Sequence, residues 1–363
     1  MKSFSTIVRT SIIAGIVLLA SGCTNSIPDQ SGVFQSTDAA ASFEARPDLT
    51  KPDVKTPKTY PKLSVRSIAQ HPTQADLMLA GTGDDLYRTS DRGATWQSLT
   101  AKLPSATKAR EVDKLAWQPG GSETLYAAGV SGGYGKVFKT TDKGEHFTDV
   151  LTTAEPRVAV TAIAVRADGS VVAGDRQGNV YTSPDGITWK RAFSVANPIT
   201  TILLIDRTVY VGTYGQGVFK NVDGAGFTPA VGNLSGDQLQ ITSLALSEGT
   251  LYAGSGRGVL NSRDGGATWQ TVKAPFPVSG GMIQSVVAVP GALYVASNAV
   301  VYRLVPETGE FRSAQLKLAK TIFDLSVFPG NPSQVSAAAN NEDPFNERFR
   351  TGIQRLNLIP GKN

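Results

Sequence analysis

Hydrophobic positions along this chain fall into short runs punctuated by glycine, in a phrase that returns again and again. Each phrase begins with a short apolar strand, and the copies centre on Ile68, Leu115, Ile163, Leu203, Leu244, Val286 and Leu325. A second strand follows and ends on a glycine turn, as in Leu79-Ala80-Gly81, Tyr126-Ala127-Ala128-Gly129, Tyr210-Val211-Gly212 and Tyr252-Ala253-Gly254. A third strand then returns, as Leu86-Tyr87-Arg88, Val137-Phe138-Lys139, Val180-Tyr181-Thr182 and Val218-Phe219-Lys220. The phrase repeats at intervals of roughly 38 to 53 residues, the length of one propeller blade. Seven first strands predict seven blades. Gly256 and Gly258 in Gly254-Ser255-Gly256-Arg257-Gly258 join two strands, so this run is a hairpin and not a dinucleotide fingerprint, which must lead from a strand into a helix.

An acidic turn closes most phrases. Full copies are Thr89 to Trp96 around Asp91 and Gly93, Thr140 to Phe147 around Asp142 and Gly144, and Ser262 to Trp269 around Asp264 and Gly266. Shortened copies carry Asp185 before Trp189 and Asp223 before Phe227. A worn copy spans Val305 to Phe311, and an early one has Asp38 with Ala40 in place of the glycine. The chemistry is that of a tight turn: the carboxylate accepts backbone N–H groups, glycine supplies a left-handed backbone angle, and the aromatic residue re-enters the core. These residues are expected to be structural.

The orphan hairpin from Val33 to Glu44 has no first strand of its own. Placing it in the last blade would close the ring and remove the exposed sheet edges, which bare N–H and C=O groups make a liability. A later strand is also expected from Gly352 to Leu358. The fold class is thus all-β, a propeller of seven four-stranded blades occupying residues 31–359 as one domain. Composition agrees, since 37 glycines and 20 prolines in 363 residues favour many short strands over long helices.

Address comes from the first residues. Lys2 and Arg9 precede an apolar run from Ile12 to Ala20, and Ala20-Ser21-Gly22-Cys23 ends it. The run is too short to cross a bilayer comfortably and reads as an export signal, residues 1–22, of the lipoprotein type. Cys23 would carry the lipid and residues 23–30 would form a tether, placing the protein on the extracytoplasmic side of a membrane, the outer membrane included if the host is Gram-negative. Thr24 is not the aspartate that signals inner-membrane retention in many Gram-negative bacteria. Cys23 is the only cysteine, so the chain has no intramolecular disulfide. Formal net charge is +5, without a basic run or basic–aromatic interleaving, which argues against nucleic acid. No cofactor or metal is expected, and the protein is expected to be a monomer. His71 and His146 are the only histidines; both are expected to face solvent, leaving little material for a histidine metal site or a Ser-His-Asp triad.

The acidic turns resemble the Asp-box of BNR-repeat propellers across almost the whole chain, and the pattern is similar to photosystem II stability and assembly factor-like propellers, more distantly to sortilin-type and sialidase propellers. The resemblance implies a scaffold and leaves function open. A sialidase would need an early Phe/Tyr-Arg-Ile-Pro segment, which is absent: Tyr87-Arg88-Thr89-Ser90 enters a turn and Glu155-Pro156-Arg157-Val158 has the wrong order. The expectation is a membrane-anchored, non-catalytic binding or scaffold propeller for an envelope protein or glycan. The alternative is a carbohydrate-active hydrolase with two carboxylates at the propeller mouth. Propeller partners gather where the inner strands begin. At the two positions before each central residue, hydroxyl residues dominate, and Arg66, Asp113, Lys114, Gln284, Phe323 and Asp324 stand out as candidate binding residues on blades one, two, six and seven.

Overall fold

The computed structural model describes residues 32–46, 64–104, 110–273, 282–316 and 321–340. They form seven antiparallel sheets of four strands each. Six blades follow the chain, with inner strands Val65–Gln70, Arg110–Trp117, Val160–Val165, Ile199–Ile205, Ile241–Ser247 and Ile283–Val289. In blade 7 the inner pair Thr321–Phe328 and Asn331–Asn340 is completed by the N-terminal strands Gly32–Ser36 and Glu44–Arg46. Five residue pairs, from Gly32↔Ala339 to Ser36↔Val335, bind the two chain ends together. Each inner strand packs against those of both neighbours, blade 7 against blade 1 included, so the ring is closed. The segment from Gly352 to Leu358 lies outside the described residues.

The upper face is defined here by the starts of the inner strands; antiparallel order then puts the second-to-third strand turns on the same face and the acidic turns on the lower face. The recurrent glycine ending the second strand has a packing reason. A Cβ at Gly174 would lie 2.3 Å from Ile199 Cγ2, and one at Gly254 would lie 2.8 Å from Ile283 Cγ2. Only a bare backbone lets the first inner residue of the next blade close against the sheet. That residue is fully buried in blades 1 and 3–7, as Val65, Val160, Ile199, Ile241, Ile283 and Ile322, and Val112 is nearly so.

Immediately after this buried residue every inner strand carries a β-bulge. The register slips between Val65/Ser67, Val112/Lys114, Val160/Ala162, Ile199/Thr201, Ile241/Ser243, Ile283/Ser285 and Ile322/Asp324. A bulge adds one residue, bends the strand and re-aims its side chains. It also corrects the sequence alignment of blade 4: Ile202, paired with Val211, is the structural equivalent of the other central residues, not Leu203. The unbroken apolar run Ile202-Leu203-Leu204-Ile205 has no alternation to fix its parity, so only strand pairing could decide it.

Candidate functional site

Seven bulge residues ring the upper mouth of the channel: Arg66, Asp113, Thr161, Thr200, Thr242, Gln284 and Phe323. In blades 3–5 all three are threonines with one task. Thr161, Thr200 and Thr242 donate their hydroxyls to the carbonyls of Ile199, Ile241 and Ile283 on the following blade, at 2.6, 2.7 and 2.5 Å. The next position adds a second stitch: Ser67, Ser243 and Ser285 accept the N–H groups of Leu115, Val286 and Leu325. Hydroxyl residues recur here because one small side chain that both donates and accepts satisfies backbone groups that bulges leave unpaired.

Blades 7, 1 and 2 use charge at the same positions. Asp324 takes the role of the serine, accepting Ile68 N–H at 3.3 Å and Ser67 Oγ at 3.0 Å on blade 1, and binds Lys114 Nζ on blade 2 at 2.9 and 3.0 Å. Arg66 Nη1 reaches across to Glu111 Oε2 at 2.7 Å and Asp113 Oδ1 at 3.0 Å. Four of the six candidates therefore form two neighbouring ion pairs, Arg66–Asp113 between the consecutive blades 1 and 2 and Lys114–Asp324 between blades 2 and 7. Arg66, Asp113, Phe323 and Asp324 are buried, Phe323 at 1% exposure. Gln284, half-buried, accepts the Asn298 N–H, a contact within blade 6. The groups left open to solvent are Lys114 and Glu111, whose side chains are 36% and 42% exposed. Sequence reasoning did not single out Glu111, because its importance depends on the reach of an arginine 45 residues away.

The acidic turns are built alike on blades 1, 2, 5 and 7. In blade 1, Thr89 Oγ1 donates to Asp91 Oδ1 and accepts the Gly93 N–H, while Asp91 accepts Thr95 N–H and Thr95 Oγ1. Asp142, Asp264 and Asp38 repeat this scheme, with Gly144 and Gly266 bonded like Gly93. Ala40 adopts φ +63° in the glycine's place, a left-handed angle that costs an alanine energy. Side-chain bonds from Ser42 and Ser36 hold Asp38 down at about 2, and bonds from Thr268 and Ser262 do the same for Asp264. At Asp91 burial opposes ionisation, but the hydrogen bonds from Thr95 and Thr89 prevail and the pKa falls.

Aromatic residues of these turns enter the clefts between blades. Trp96 packs with Val33, Met78 and Ala338, Phe147 with Leu99 and Leu103, and Trp269 with Tyr210 and Leu234. Trp189 and Phe227, from the shortened turns, are only half-buried, Phe227 stacking on Phe193 at 4.6 Å. Asp185 still accepts the Ile187 and Thr188 N–H groups. Asp223 does not act in this way: it sits at φ +52°, the slot of Arg92 (φ +58°), and pairs with Arg207. Val222 occupies the acid's place, its carbonyl accepting Ala225 N–H as Asp91 accepts Ala94 N–H.

His146 is exposed and bonded to Asp142 at 2.6 Å. His71 departs from expectation: it has no solvent exposure, because Trp117 of blade 2 covers its ring at 4.6 Å. No group of three or more metal-ligating side chains occurs among the described residues.

No family model matches the chain. A xyloglucanase of Hypocrea jecorina is 25% identical over 180 residues, 49% of this chain and 19% of that protein, so the chain spans about one fifth of that relative's length. Among solved structures, "YCF48 bound to D1 peptide" aligns with a TM-score of 0.58 at 12% identity, covering 78% of this chain and 94% of that one. U3-55K aligns with a TM-score of 0.59 at 12% identity, covering 77% and 96%. YCF48 from Cyanidioschyzon merolae gives 0.56 at 12% identity over 76% and 95%. At these identities the likeness establishes the propeller fold.

Proposed function

We propose that this chain is a non-catalytic scaffold propeller that recognises a protein partner of the cell envelope and is held on the extracytoplasmic side of a membrane by lipid on Cys23. Residues 1–22 are then the export signal, 23–30 the tether and 31–359 the binding body. The observation that carries the non-catalytic reading is the pairing of the mouth carboxylates. Asp113 and Asp324 are buried and each is engaged by a cation, Arg66 or Lys114. A glycosidase needs one carboxylic acid and one carboxylate open to the sugar. The peptide named with the YCF48 neighbour supports a protein partner over a glycan.

The xyloglucanase match favours a second reading, carbohydrate hydrolysis. Release of reducing sugar from xyloglucan by the purified chain, abolished by Asp113→Asn, would establish it and displace the scaffold. For the scaffold, Glu111→Gln removes an exposed charge at the mouth while keeping a side-chain acceptor for Arg66 and leaving the Arg66–Asp113 pair in place. Recovery of the partner from detergent-solubilised envelope should fall with an unchanged melting temperature; unchanged recovery moves the binding surface away from the mouth. Globomycin treatment or Cys23→Ser should leave unprocessed precursor, and normal maturation would remove the anchor from the proposal.

A further inference from the structure

Blade 1 carries, on the lower face, a loop whose position depends on one buried imidazole. His71 Nδ1 accepts the N–H groups of Thr73 at 3.2 Å and Gln74 at 3.1 Å, and the His71 backbone N–H donates to Leu77 O at 2.9 Å. Accepting two N–H groups at Nδ1 requires the neutral tautomer with its proton on Nε2. The ring lies edge-on to Trp117 of blade 2, whose indole N–H donates to Ala69 O at 3.2 Å. Gln70 Nε2 holds the same loop from the other side through Ala75 O at 2.8 Å and Leu77 O at 3.2 Å. Asp76 then fixes the acidic turn of blade 1, its carbonyl accepting Arg92 N–H and its carboxylate pairing with Arg92 Nε. Residues 74–77 also form one wall of a groove of about 490 Å³ between blades 1 and 2, completed by Arg88, Ser90 and Lys143.

We infer that His71 is a proton-operated latch: protonation at Nδ1 releases the 72–77 loop and remodels the groove between blades 1 and 2. A proton on Nδ1 would face two N–H donors, so both bonds holding Thr73 and Gln74 are lost together. The charged groups around the ring do not offset this. Lys143, from the acidic turn of blade 2, opposes protonation, while Glu123 and the Ser122 backbone favour it; Lys143 and Glu123 are paired at 2.8 Å, and on the loop itself Asp76 is taken by Arg92. Burial, the largest influence, pushes the imidazole below its usual 6.5. The contribution of neutral His71 to stability is thus complete above 6.5 and erodes as the pH falls below it toward the folded-state value.

The full chain has only two histidines, so an imidazole proton titration resolves both, and His146→Ala identifies the other signal. The His71 midpoint should lie below 6.5; a midpoint at or above that value overturns the latch. Amide protection factors for residues 73–77 should fall about tenfold more than those of the corresponding turn of blade 3, residues 166–170, between about pH 7.5 and about pH 5, a range in which ordinary carboxylates stay ionised. His71→Asn keeps a side-chain acceptor for the two N–H groups but cannot titrate, and should abolish the excess. An equal loss of protection in His71→Asn, or none in the wild type, refutes the proposal, and the wild-type measurement decides it even if the variant fails to fold.

Discussion

Blades 3–5 and the seam of blades 7, 1 and 2 solve the same problem with different chemistry. Both must stitch one bulged inner strand to the next. Between blades 3, 4, 5 and 6 the stitch is a neutral threonine hydroxyl on a carbonyl about one repeat ahead, 38 and 41 residues along the chain. At the seam it is Asp324 bonded to Ser67 and Lys114, 257 and 210 residues away, beside the Arg66–Asp113 pair. Successive blades are brought together by short connections, so a weak bond suffices. The seam joins opposite ends of the chain, and a directional, charge-assisted cluster penalises any misaligned closure by leaving buried charge unpaired. Of the candidate residues that stand out in the sequence, Asp324 and Lys114 form the clasp that bridges the distant ends, while the Arg66–Asp113 pair joins the consecutive blades 1 and 2 beside them.

Removing the seam altogether should have the largest effect. Without residues 31–45, Ala337 and Ala339 lose their partner strand and the core loses the buried side chains of Val33 and Phe34, so a chain beginning at Thr59 should lose its cooperative thermal transition. An unchanged melting temperature would reduce the hairpin to a linker.

Trp96 lies at the seam and Trp269 between blades 4 and 5, which makes them a matched pair. Each truncation to alanine should cost about 3–5 kcal/mol in denaturant melts, as for other buried aromatic residues. A much larger loss at Trp96 would show that the seam is the weak point of the ring.

Substituting Asp324 by alanine should cost about 2–3 kcal/mol, less than a fully buried pair because Lys114 keeps partial access to water. Thr200→Val in blade 4 should cost about 1 kcal/mol, the worth of an ordinary hydrogen bond. Equal values would erase the distinction between clasp and ladder.

The smallest effect concerns acid. Asp264 has its folded pKa lowered to about 2 from 3.8, so its contribution is present above 3.8 and lost as the pH falls through 2. Asp264→Asn, which carries no charge at any pH, should therefore lower the melting temperature slightly at neutral pH and flatten the acid limb below pH 3.8, the two proteins converging as the pH falls through 2. An identical acid limb in wild type and variant would remove the turn from the acid response.

The repeat itself determined the architecture: seven apolar strands, glycine-ended second strands and an orphan N-terminal hairpin specify a closed ring, because each element is local and only one arrangement leaves no edge bare. Full acidic turns were equally legible, since Thr89, Asp91, Gly93 and Thr95 lie within seven residues and satisfy one another. The shortened turn of blade 4 was not: Asp223 and Val222 differ by one slot that only φ and the Arg207 pairing distinguish. Tertiary structure alone decided the bulges, hence the parity of Ile202, because a register slip leaves no mark in an unbroken apolar run. It also decided that His71, expected to face solvent, would be buried by a tryptophan from the neighbouring blade, and that Arg66, Asp113 and Asp324 would point at partners and not at solvent. Local pattern fixes which strands form; the fate of a charge depends on what another blade brings within three ångströms of it, and that proximity is set by ring closure.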